Sequence, residues 1–248
     1  MSVISAEPVT GDQHPRPRIP EAGHHRDVNG GWLRPAVFGA MDGLVSNFAL
    51  MTGVVGGAVS SSTVVLTGLA GLAAGACSMA AGEYTSVASQ RELVQAEIEA
   101  ERLELSRNPH GELAELAELY VSRGVDPALA REVARQLSAD PARTLEIHAR
   151  EELGIDPHDL PSPLVAAGSS FVCFALGAVL PLLPYLLGAT TLWPALVLSM
   201  LGLFACGAVV ARVTARSWWF SGVRQLVLGG AAAGVTYLLG WLIGGHVG

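Results

Sequence analysis

The chain has 248 residues, of which 50% are hydrophobic and 15% charged, with a mean hydropathy of +0.42 and a formal net charge of -7. That is too apolar and too poor in charge for an ordinary soluble domain, so the sequence reads as an integral membrane protein. The negative balance disfavours nucleic acid as a partner, and three cysteines placed singly in separate apolar blocks (Cys77, Cys173, Cys206) fit small packing residues, not a disulfide framework or a CxxC metal site.

In chain order, residues 1–31 are rich in Pro, His, Asp and Arg, lack hydrophobic periodicity, and predict a disordered, solvated tail. They lack the apolar core and cleavage site of a secretory signal, and His14, His24 and His25 within them read as solvated. The apolar blocks, cut at their turn residues, predict five membrane-spanning helices near 35–58, 62–89, 163–187, 191–212 and 219–244, each close to the ~20 residues that cross a bilayer. No charged residue falls between Gly43 and Gly82, nor from Leu160 to Ala211. Small residues four apart (Gly39 with Gly43, Gly53 with Gly57, Gly71 with Gly75, Gly230 with Gly234) predict close helix approach. All fifteen basic residues are arginines: four precede the first span, eight lie between spans 2 and 3, and three run from the end of span 4 into span 5. The positive-inside rule then puts the N-terminus and the 90–160 segment in the cytoplasm and the C-terminus on the opposite side.

Two of the 22 acids, Asp42 and Glu83, lie within spans. A carboxylate in hydrocarbon is costly unless something compensates it, so such a residue points to function. Spans 1 and 2 run antiparallel about a turn near residues 60–61, which places Asp42 and Met79 at similar depth. Ser46 follows Asp42, and Glu83 follows Met79, by four residues on the same helix face. Carboxylate oxygens with one thioether suit a first-row divalent ion better than Ca2+ or Mg2+, which take all-oxygen shells. The alternative is a pairing of Asp42 with Arg34 and a Met79 that only fills space.

Sixteen acids lie between Glu92 and Asp159. Nothing breaks a helix between Gly82 and Pro109, so span 2 is expected to continue well out of the membrane. Further helices are expected at 111–123, 127–138 and 141–153, the last two opened by Asp-Pro pairs and the last closed by Gly154. Glu97, Glu101 and Glu104 share one helical stripe, Glu112 and Glu115 another, and His148 and Glu152 stand at i and i+4. Such stripes are either solvated surface or, where they converge, cation ligands.

"DGLVSNFALMTGV", "AGLAAGACSMAAGEYTSVASQRE", the acidic helical insert and "REELGI" together resemble the vacuolar iron transporter family over about residues 32–246. The resemblance implies an all-α membrane protein: five transmembrane helices with a helical cytoplasmic metal-binding domain inserted between helices 2 and 3. The chain then divides into a tail (1–31), helices 1–2 (32–89), the inserted domain (90–160) and helices 3–5 (161–248). It also implies a homodimer that is not an enzyme and that moves Fe2+, often Mn2+, out of the cytosol in exchange for protons, with no prosthetic group. The family's pathway aspartate and methionine fall on Asp42 and Met79, its paired glutamates on Glu101, Glu104, Glu112 and Glu115, and its closing glutamate on Glu152. Where the family has two adjacent methionines this chain has His148 and Ala149; imidazole can still take Fe2+, Mn2+ or Zn2+, whereas the Ala149 side chain cannot. A membrane-anchored metal store or ferroxidase is the competing class, although the Glu-x-x-His motif of di-iron bundles is missing at His110, His148 and His158.

Overall fold

The computed structural model describes residues 31–214 and 216–247, and of these the backbone alone at 141–142, 213–214 and 245–247. The expected tail, with His14, His24 and His25, lies outside them except for Gly31. The described residues form eight helices and no strand: α1 (Leu33–Gly56), α2 (Ser61–Arg107), α3 (Pro109–Ser122), α4 (Pro127–Leu137), α5 (Pro141–Glu151), α6 (Pro163–Leu186), α7 (Trp193–Thr214) and α8 (Trp218–Val247). Of these α1, α2, α6, α7 and α8 are long and apolar enough to cross a membrane, and they coincide with the five expected spans.

Local chemistry sets the boundaries. Ser60 Oγ accepts from the Thr63 N–H at 3.4 Å and opens α2, which then runs 47 residues because nothing in it removes a backbone donor. Asn108 ends α2 and also caps α3, its Oδ1 accepting from the Gly111 N–H at 3.1 Å, with Pro109 in the first turn. Pro109 therefore begins the second helix, which starts two residues earlier than expected. Asp126 Oδ1 caps α4 through the N–H groups of Ala128 and Leu129. Gly124 and Gly154, at φ +94 and +67, take the left-handed conformation that stops α3 and α5, and α5 ends at Glu151, short of the expected 153.

Helix α1 is the hub of the spanning bundle, packing on α2, α6, α7 and α8. Its glycines explain the closeness. A Cβ on Gly43 would lie 2.1 Å from the Phe174 carbonyl oxygen of α6, and α6 answers with Gly177, whose Cβ would lie 2.2 Å from the Ala40 oxygen. Gly53 meets α8 in the same way opposite Gly240. Gly71 and Gly75 accommodate side chains from α1 and α6, not a neighbouring backbone. Gly230 and Gly234 depart from the expectation. Nothing stands within 4 Å of a Cβ at either, because they border a cavity of about 490 Å³ lined also by Phe48, Trp193 and Tyr237.

Outside the bundle, the last turns of α2 pack on α3 and α5, with α4 against both α3 and α5. Leu116, Ala117 and Ala134 form the centre of this small helical unit, with Leu113, Tyr120 and Ile147 around them.

Candidate metal centres

The first centre lies between α1, α2 and α6. The α1–α2 connection is residues 57–60, slightly earlier than the expected turn, so Asp42 comes level with the stretch of α2 from Gly75 to Met79. A cavity of about 390 Å³ is lined by Asp42 and Ser46 of α1, by Gly75, Ser78, Met79 and Glu83 of α2, and by Phe38 and Phe174. All four residues expected in the span thus share one cavity. Ser46 Oγ donates to the Asp42 backbone carbonyl at 2.6 Å, which leaves its lone pairs available. Among the described residues neither Asp42 nor the exposed Arg34 takes part in an ion pair, so the pairing of Asp42 with Arg34 does not occur. Phe174 and Phe38 were not legible in the sequence as lining residues. Phe174 comes from a helix about 130 positions away, and its ring reaches the cavity because Gly75 has no Cβ to exclude it.

The second centre joins three helices of the acidic unit. Glu101 of α2, Glu112 in the first turn of α3, His148 of α5 and Glu152 just beyond α5 each offer one ligand atom, all within 4.8 Å of one another. His148 Nδ1 stands 3.1 Å from Glu101 Oε1, 3.0 Å from Glu152 Oε1 and 3.9 Å from Glu112 Oε2. These approaches are not aligned as hydrogen bonds, and Glu101 Oε1, Glu112 Oε2, Glu152 Oε1 and both His148 nitrogens are buried without a hydrogen-bond partner. Buried polar atoms are rarely left so, and a cation at their common point would satisfy them together. Two sets of contacts hold α5 in place: Arg123 at the end of α3 pairs with the Glu151 carboxylate and donates to the Glu151 carbonyl at 2.8 Å, and Arg150 bridges Glu146 and Asp156.

The electrostatics agree with the donor set. Burial, then the charge of Glu101 and its neighbours, pushes Glu112 up to about 7. Burial followed by the Glu152 charge raises Glu101, and burial followed by the Glu115 and Glu104 charges raises Glu152. Burial lowers His148 against the opposing pull of Glu101, which keeps a neutral imidazole with a free lone pair. Glu104 and Glu115 are exposed and outside the cluster of four, acting on it through charge alone. Glu97 is likewise exposed and outside it. Ala149 is buried beside His148, so this position is used for packing.

Fold and sites together define an all-helical, multi-pass membrane protein with one oxygen- and sulfur-lined cavity in the span and a buried carboxylate–imidazole cluster on an adjoining helical unit. The chain belongs to the VIT family, whose family model matches residues 33–241. It is 41% identical over 220 residues to a protein named vacuolar iron transporter from Acanthamoeba castellanii, covering 86% of this chain and 78% of that protein. It is 30% identical to vacuolar iron transporter 1 of Oryza sativa subsp. japonica, covering 86% and 87%, and 36% identical to vacuolar iron transporter homolog 1 of the same plant, covering 87% and 75%.

Proposed function

We propose that this protein carries Fe2+, with Mn2+ as a second cargo, out of the cytosol across the membrane in exchange for protons, working as a homodimer. The observation that carries the reading is the cavity shared by Asp42, Met79 and Glu83. Two carboxylates balance the charge of one divalent ion, so the loaded site is close to neutral and the ion avoids most of the cost of carrying net charge into low dielectric. The Met79 thioether favours a first-row transition ion over Mg2+ or Ca2+. When the metal leaves, protons are the remaining means of neutralising the two acids, and this couples metal movement to a proton gradient. The arginine distribution supports a cytoplasmic N-terminus and a cytoplasmic 90–160 unit. There Glu101, Glu112, His148 and Glu152 gather Fe2+, Mn2+ or Zn2+ from the cytosol, while Glu104, Glu115 and Glu97 supply negative potential around them.

The vacuolar iron transporter names of the relatives support the cargo class. The buried cluster taken alone also fits a membrane-anchored metal store or ferroxidase, but such a protein has no use for acids inside the span. The deciding experiment is Mn2+ and Fe2+ flux into proteoliposomes, with and without a pH gradient. Asp42→Ala is expected to abolish flux while metal binding by the cluster persists. Asp42-independent flux, or none in the parent, defeats the transport reading, and rates indifferent to the pH gradient defeat proton exchange.

A further inference from the structure

Beyond the Asp42 cavity, unassigned groups continue along the seam between α1 and α2. Asn47 is 2% exposed, and its Nδ2 donates to the Ala178 carbonyl of α6 at 2.7 Å. Only the amide nitrogen can donate there, so this bond fixes the orientation of the amide. Its Oδ1 is thereby turned to α2, where it is buried without a hydrogen-bond partner and lies 2.8 Å from where a Cβ on Gly71 would be. One turn further, the fully buried Met51 brings its Sδ to 3.1 Å from the corresponding point on Gly68. In the other direction the Phe174 ring covers Gly75, which also walls the Asp42 cavity. Gly68, Gly71 and Gly75 fall on one face of α2, opposite the Leu182 methyl and the Met51 thioether, the Leu50 methyl and the Asn47 amide oxygen, and the Phe174 ring in turn.

We propose that the Asn47 amide oxygen is a second cation station in the span, one helical turn beyond the Asp42–Met79 cavity, with the Phe174 ring between the two and the Met51 thioether on the far side. This rests on the transport reading. An amide oxygen and a thioether hold a divalent ion through dipoles alone, more weakly than two carboxylates do, and a site that must release its ion needs that weakness. The mixed oxygen and sulfur set carries the preference for first-row ions past Met79. A buried amide oxygen facing a glycine without a donor is otherwise a cost the fold has no reason to keep. A Cα–H···O contact with Gly71 is a poor substitute for a hydrogen bond, and it predicts that covering the oxygen leaves flux unchanged.

The test uses the full-length protein in proteoliposomes with Mn2+ as probe, measuring initial flux and equilibrium Mn2+ binding on the same preparations. Asn47→Leu removes the oxygen. Gly71→Ala sets a Cβ 2.8 Å from the oxygen and 2.5 Å from the Leu50 Cδ2, covering the oxygen once these two side chains shift, and with a melting temperature that shows the fold intact it decides the matter if Asn47→Leu does not fold. Gly168→Ala, where a Cβ meets nothing within 4 Å, is the control. Flux is expected to fall roughly 10–100-fold in both seam variants, with Mn2+ binding at the Glu101 cluster unchanged and the control at the parent rate. Flux that depends on Asp42 but is untouched by Asn47→Leu and Gly71→Ala overturns the second station and leaves transport standing. A parent without Asp42-dependent flux overturns the transport reading itself.

Discussion

Glu112→Gln is expected to raise the stability of the metal-free protein while weakening its hold on metal. The carboxylate oxygens of Glu101, Glu112 and Glu152 lie within 4.8 Å of one another. Two ionised oxygens at that distance repel by about 3.5 kcal/mol at an effective dielectric constant of about 20. The folded protein escapes most of this by retaining a proton, so burial first, and this repulsion after it, pushes Glu112 up to about 7. Its folded pKa is above the unfolded value of 4.5, so between these values the native state binds more protons than the unfolded state. Stability therefore falls as pH rises through this window and levels off above it. The amide removes the penalty. After discounting for water at the rim of the cluster, the gain at pH 8 is about 1–2 kcal/mol, or about 2–4 °C of melting temperature per kcal/mol in a chain of this size; it shrinks to about a quarter of that at pH 5 and vanishes below the unfolded pKa of 4.5. Losing one carboxylate ligand is expected to weaken Mn2+ binding about 10–100-fold, cutting the stabilisation by excess Mn2+ by about 1.4–2.7 kcal/mol. Thermal melting of the purified protein at pH 5 and pH 8, with and without Mn2+, checks both halves. A variant that melts below the parent without metal at pH 8, or gains as much from Mn2+ as the parent does, refutes the cluster as a metal centre.

His148→Met exchanges imidazole for a thioether, and titration calorimetry should show Zn2+ affinity dropping more than Fe2+ affinity; an unchanged Zn2+ affinity would mean that His148 is not a ligand. Glu104→Gln and Glu115→Gln should each cost under about tenfold in Mn2+ affinity, against about 10–100-fold for Glu101→Gln, since the first two act only through their field. Equal losses would mean that the exterior acids bind directly. Gly43→Ala places a Cβ 2.1 Å from the Phe174 oxygen and should separate α1 from α6, costing several kcal/mol, on the order of other overpacked cores, and collapsing the Asp42 cavity. A melting temperature like that of Gly168→Ala would show that the two helices are not so close.

The spans were legible because they are long apolar blocks in which charges such as Asp42, Glu83 and Arg224 are isolated exceptions, and the helix ends because Asn108, Asp126, Gly124 and Gly154 carry the capping chemistry. The cluster was legible only in part. A stripe such as Glu101 with Glu104, or Glu112 with Glu115, spans about 60° of rotation and most of a turn of rise, so only one member of each pair can aim at a point shared with α5. Sequence spacing does not say which. It is Glu101 and Glu112 because these two are buried against α5 and their partners are exposed. Asn47 and Phe174 could not be read at all. An asparagine and a phenylalanine in apolar helices give no signal until α6 is laid against α1 and shows which amide atom is left without a partner.

The two centres share one rigid element, and this sets how far they can influence each other. Met79 and Glu83 line the cavity, Glu101 holds the cluster, and all three belong to the unbroken α2. From Glu83 to Glu101 the helix rises about 27 Å, more than three Debye lengths of about 8 Å at physiological ionic strength. An ion in the cluster is therefore screened from the cavity, and charge at Asp42 from the cluster. The expectation that Asp42→Ala stops flux without touching cluster affinity follows from this separation. Coupling between the centres has to come through the position of α2 itself, because the field across water is too weak to provide it.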